Sequence, residues 1–173
     1  MKKYIIIAVV VGMLGWSFYE FFGSSDNDTH QEDAGLAPGQ TAPNFEVDTL
    51  EGNTVKLSDF RGEPVIINFW ATWCPPCRAE MPDFERLYNE EDAVILAMNL
   101  THSENNIEGV SGFVDELGLT MPVLLDEEGT VEDSYQLSAY PTTYMIDSEG
   151  VTQYVARGAI NYETMYREFM VLE

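Results

Sequence analysis

The sequence feature that most constrains the fold is an apolar run, Pro64-Val65-Ile66-Ile67-Asn68-Phe69-Trp70, set three residues before Cys74-Pro75-Pro76-Cys77. A run of this length and composition reads as a central strand buried on both faces. Directly behind the cysteines, Met81, Phe84, Leu87 and Tyr88 recur at spacings of three and four, the period of a helix. The strand therefore hands over to a helix at the cysteines. A strand covered on both sides, followed at once by a helix, calls for a sheet with helices packed on each face.

The rest of the domain fits that scheme. Asn44–Leu50 reads as a strand with Phe45 and Val47 turned inward, and Glu51-Gly52-Asn53 returns it to Thr54–Leu57 as a hairpin. Ser58 is placed to cap a short turn that Gly62 ends. Pro82, inside the helix behind the cysteines, predicts a kink, because it has no amide hydrogen and crowds the preceding turn. Ala93–Leu100 reads as a second buried strand, Asn106–Leu117 as a helix closed by Gly118, Pro122–Leu125 as a short strand and Val131–Leu137 as a short helix. Thr142–Ile146 and Thr152–Ala156 form a second hairpin across Asp147-Ser148-Glu149-Gly150, and Tyr162–Leu172 is the last helix. Hairpins near both ends make the sheet mixed, with antiparallel strands at its edges.

The chain outside this domain is short. Of 173 residues, the first three are Met1-Lys2-Lys3, and Tyr4–Tyr19 carries no charge. Through Phe22 this segment would span roughly 28 Å as a helix, close to the thickness of a bilayer's hydrocarbon core. Trp16, Tyr19, Phe21 and Phe22 fall where an interfacial aromatic belt lies, and Lys2 and Lys3 favour a cytoplasmic N-terminus. Residues 1–22 thus read as a signal-anchor helix in the lipid bilayer, with the domain outside the cytoplasm. A cleaved secretory signal is the competing reading, although no convincing small-residue cleavage site follows. Residues 23–35 form an acidic tether and 36–173 the folded domain. With 30 acidic and 8 basic residues the net charge is -22, which argues against nucleic acid as a partner.

Cys74 and Cys77 are the only cysteines. A structural zinc needs four ligands, and only His30 and His102 remain to complete a set. A purely structural disulfide closing two intervening residues removes little chain entropy. A redox pair fits better: Cys74 at a helix N-terminus meets unpaired amides and the helix dipole, which favour its thiolate. Cys77, one turn further in, is placed to resolve a mixed disulfide formed by Cys74. Glu80, three residues beyond, lies on the same helical face and would act as a proton acceptor for Cys77 if buried.

Phe69-Trp70-Ala71-Thr72-Trp73-Cys74-Pro75-Pro76-Cys77, followed by Pro82 and by Tyr140-Pro141-Thr142-Thr143, resembles the thioredoxin superfamily. The segments Ala42–Pro82 and Pro122–Gly150 are most similar to its membrane-anchored TlpA/ResA-like thiol-disulfide oxidoreductases. The resemblance implies a thioredoxin-like α/β fold with an N-terminal β-hairpin and a strand-helix insertion. It further implies an attacking Cys74, a resolving Cys77, and no cofactor beyond a redox-active Cys74–Cys77 disulfide. Pro141 would follow a cis bond, and the Tyr140 backbone would pair with an extended client segment, with Trp73, Pro75 and Pro76 around it. Asn68 stands where ordinary thioredoxins carry a buried aspartate, and Glu80 where ResA-like proteins carry a glutamate. The implied activity is extracytoplasmic reduction of client disulfides, such as the CXXCH haem site of apocytochrome c, with recharging by a membrane electron donor of the CcdA type. A spore-envelope or cell-wall client, or a role as oxidant or isomerase, stays open. Peroxiredoxins and Sco-type copper carriers share parts of the pattern but not its cysteine surroundings.

Overall fold

The structure is a computed structural model that describes residues 36–172. Seven strands form one sheet: β1 (Glu46–Thr49), β2 (Thr54–Lys56), β3 (Val65–Trp70), β4 (Val94–Asn99), β5 (Val123–Leu125), β6 (Thr142–Ile146) and β7 (Thr152–Arg157). Among the described residues four α-helices accompany them: α1 (Pro75–Glu91), α2 (Ile107–Leu117), α3 (Thr130–Ser134) and α4 (Tyr162–Phe169). Two single 3-10 turns lie at Leu57–Phe60 and Thr101–Ser103. The strands are ordered β2-β1-β5-β4-β3-β6-β7. Only β3, β4 and β5 run parallel; β1 pairs antiparallel with β2 and β5, and β6 with β3 and β7. This is the thioredoxin-like mixed sheet, with the hairpin β1–β2 at one edge.

The position of β3 explains its composition. It lies between β4 and β6, and all six of its residues are buried. On one face, Trp70 stacks on Phe113 of α2, and the Arg78 guanidinium of α1 lies over the Phe113 ring at 5.1 Å from its centroid. On the opposite face, Phe69 meets Tyr135 and Tyr144 at 5.1 and 6.0 Å. The buried Tyr135 hydroxyl donates to the Pro43 carbonyl at 2.8 Å, which ties the opening of the domain beneath α3.

Local chemistry sets the helix limits. Pro75 and Pro76 occupy the first turn of α1, where a missing amide hydrogen costs nothing. The helix then continues through Pro82 to Glu91, so that proline removes one hydrogen bond without ending the helix. Asn106 caps α2 through its side chain, and Gly118, at φ 63, closes it. Ser58 is not the cap expected of it. The Asp59 carboxylate accepts the Lys56 amide at 3.2 Å, while the Ser58 amide donates to Asn44 Oδ1. The anticipated anchor (1–22) and tether (23–35) fall outside the described residues. Among the described residues no helix is long and apolar enough to cross a membrane.

Candidate active site

Residue Cys74 is the N-cap of α1, and its Sγ accepts the Cys77 amide at 3.3 Å. The two cysteines are joined in a disulfide with their Cα atoms 5.3 Å apart. Cys74 retains 3% exposure and Cys77 none, so the accessible sulfur belongs to Cys74. At 3% exposure it is less open than the attacking cysteine that the resemblance implies. Trp73, half exposed at 50%, and the exposed Pro75 and Pro76 form the outer rim.

A distant segment completes the site. Pairing of β6 with β3 sets Thr142 opposite Phe69, which brings Tyr140-Pro141 to the cysteine end of the sheet. The Tyr140–Pro141 bond is cis. Pro141 is buried, and its carbonyl accepts the Gly158 amide at 2.7 Å. The Tyr140 ring stands edge-on to Trp73 with centroids 5.8 Å apart. Burial, together with a hydrogen bond to Glu132, pushes the Tyr140 phenol up to about 12, so it remains a donor at neutral pH.

One helical turn beyond Cys77 stands Glu80, 2% exposed. Its Oε1 accepts from Asn68 Nδ2 at 2.8 Å and its Oε2 from the Ile160 amide at 3.1 Å. Asn68 also donates to Thr143 Oγ1 at 3.1 Å, so β3, β6 and α1 meet at one amide. Burial raises the Glu80 carboxyl to about 7. The two hydrogen bonds, which favour the ionised form, pull against that rise, and the nearby Asp83 charge adds to it. A carboxyl with this pKa can take or release a proton at neutral pH.

Glu104 is a further contributor that no spacing in the sequence marks. Its carboxylate accepts the Thr72 amide at 2.7 Å, the Thr72 hydroxyl, and Asn99 Nδ2 at 3.0 Å, fixing the loop that leads into Cys74. Among the described residues no group of His, Cys, Asp and Glu could hold a metal ion.

Residues 38–155 match the AhpC/TSA family, a span that includes Cys74, Cys77, Glu80 and Pro141. The chain belongs to the AhpC/TSA family. Within it, the chain is 37% identical over 163 residues to the thioredoxin-like protein YneN of Bacillus subtilis, covering 93% of this chain and 91% of that one. It is 34% identical over 162 residues to the thiol-disulfide oxidoreductase ResA of Geobacillus thermodenitrificans, covering 92% and 87%. The crystal structure of StoA from Bacillus subtilis superposes with a TM-score of 0.66 at 27% identity, covering 78% of this chain and 98% of that one. With the Cys74–Cys77 pair at the N-terminus of α1, this AhpC/TSA member is an enzyme, a thiol-disulfide oxidoreductase related to ResA and YneN.

Proposed function

We propose that this oxidoreductase acts as a reductase of client disulfides outside the cytoplasm, held to the membrane by residues 4–22. The observation that carries the chemistry is the buried Glu80 carboxyl, raised to about 7, one helical turn beyond the buried Cys77. In the reduced protein the Cys74 thiolate attacks one sulfur of the client disulfide. The other client sulfur leaves as a thiolate, and a mixed disulfide joins Cys74 to the client. Glu80 then takes the Cys77 proton, and the Cys77 thiolate attacks Cys74 Sγ. The Cys74–Cys77 disulfide forms, the second client thiolate leaves, and two electrons have passed to the client. Tyr140 offers its backbone to an extended client segment, while Trp73, Pro75, Pro76 and Pro141 frame the approach.

Local charge supports this direction of electron flow. Strong oxidants of this chemistry owe their potential to a stabilised thiolate. Here the Cys74 sulfur has one backbone donor, and the buried ionisable group one turn beyond Cys77 is a carboxyl, which when ionised opposes further negative charge. The client class this suits is an exposed disulfide such as that of the CXXCH haem site of apocytochrome c. Recharging falls to a membrane thiol donor of the CcdA type.

The test is the reduction potential of the Cys74–Cys77 couple, measured in thiol buffers with alkylation trapping. A value at or below about -250 mV fits a reductase, and one above about -150 mV would reverse the assigned direction. Failure of the reduced protein to open any CXXCH peptide would remove the client class. Protease accessibility of the domain on intact cells checks its location.

A further inference from the structure

Two aromatic side chains flank the cysteines, and one short turn holds both. Trp73 Nε1 donates to Ser103 Oγ at 3.1 Å, and Ser103 Oγ in turn donates to the Leu100 carbonyl at 2.7 Å. The Tyr140 hydroxyl donates to Glu132 Oε1, while Glu132 Oε2 lies 2.8 Å from His102 Nε2. Ser103 and His102 are neighbours in the 3-10 turn Thr101–Ser103 that follows β4. From this turn both rings are reached, although Trp73 lies before α1 and Tyr140 beyond α3.

The His102 arm is firmly seated. Its amide donates to the Asp126 carbonyl at 3.1 Å, and Nδ1 lies 3.2 Å from the same oxygen. The carboxylate of that buried Asp126 accepts the Val131 and Glu132 amides at 3.2 and 2.8 Å. The base of the imidazole and the backbone of Glu132 are thus anchored on one residue. The ring also lies against Gly129, at φ +72, where a Cβ would approach it to 3.3 Å. A side chain at position 129 would crowd the imidazole and be strained at this φ, so the glycine serves both the backbone turn and the space for the ring.

We propose that His102 is a positioning residue for client binding: through Glu132 it fixes Tyr140, the residue that presents its backbone to the client beside Cys74. The proposal rests on the reading of Tyr140 given under Proposed function. Without His102 the Glu132 carboxylate loses its second restraint, and the Tyr140 ring is free to swing from its edge-on contact with Trp73. The dithiol itself is untouched, so substrates too small to reach Tyr140 should not sense the change.

The test compares two substrates with the pre-reduced protein in single turnover: a peptide holding an intramolecular Cys-X-X-Cys disulfide, and hydroxyethyl disulfide. His102→Leu and Tyr140→Phe should each raise the half-saturating peptide concentration about threefold to tenfold, the worth of one hydrogen bond. In His102→Leu the maximal rate and the reaction with hydroxyethyl disulfide should hold within about twofold. His102→Gln keeps a donor for Glu132 and should restore peptide binding, and the double variant His102→Leu/Tyr140→Phe should be no worse than either single one. Unchanged peptide saturation in His102→Leu, absence of rescue by His102→Gln, or equal losses on both substrates overturn the proposal. If His102→Leu does not fold, Glu132→Ala, which removes the link between His102 and Tyr140, takes its place on the two substrates, and unchanged peptide saturation or equal losses on both overturn the proposal. A wild-type protein that reduces hydroxyethyl disulfide but not the peptide sinks the client reading and this inference together; wild-type peptide turnover with unaffected variants sinks only the inference.

Discussion

Replacing Glu80 by Gln should change how stability depends on pH. The folded state holds the Glu80 proton up to about pH 7, whereas an ordinary carboxyl in the unfolded chain releases it near 4.5. Between those values the folded protein binds more protons than the unfolded one, so stability falls as pH rises through the window and is level on either side. Each pKa unit is worth about 1.4 kcal/mol, which makes the full step about 3 kcal/mol. The Gln amide keeps the acceptor for Asn68 but sets an NH2 group against the Ile160 amide, a pH-independent loss of about 1 kcal/mol. The stability of the variant minus that of the wild type should therefore start slightly negative near pH 4. It should climb by about 3 kcal/mol up to about pH 7.5 and then stay level. Urea unfolding of the oxidised proteins across this range gives the two curves, and subtraction removes the titration common to both. A difference that stays flat within about 0.5 kcal/mol, or one that falls with pH, would refute a Glu80 raised by burial.

Other consequences of the site are as open to measurement. Cys77→Ser should leave Cys74 able to attack but nothing to resolve the adduct, so mixed disulfides accumulate and are seen as reductant-sensitive species on non-reducing gels. Asn68→Leu removes a hydrogen bond that favours ionised Glu80. The pH midpoint of single-turnover reduction should then move upward, with a stability loss on the order of 1–3 kcal/mol above that midpoint. Glu104→Ala releases the Thr72 loop and should slow reduction of peptide and small disulfides alike, unlike the His102 variants. Phe84→Ala, at a fully buried position of α1, should cost about 3–5 kcal/mol in urea unfolding at any pH.

Much of the fold could be read from residue order. The buried β3 run, the helical period of α1, the Asn106 and Gly118 limits of α2 and the hairpin across Asp147–Gly150 are local patterns, and they emerge as elements close to the expected ranges. Where the readings missed, short-range competition decided. Asp59 rather than Ser58 closes the first 3-10 turn, α3 stops at Ser134 with Gln136 at φ 45, and α4 ends at Phe169 rather than Leu172. The order of the strands was not legible, since backbone pairing between β3 and β6 spans more than seventy residues and carries no local mark.

By itself, the sequence determined that a covered strand runs into a Cys-Pro-Pro-Cys helix start with a glutamate one turn further on. Periodicity and spacing act within a few residues, and they are enough for that. Only the tertiary structure decided the environment that gives those residues their chemistry. Desolvation lifts Glu80 to about 7, Asn68 and the Ile160 amide converge on it, and the Thr101–Ser103 turn reaches both aromatic walls. Burial and hydrogen-bond partners are set by segments far apart in the chain, so no reading of neighbours along it could have supplied them.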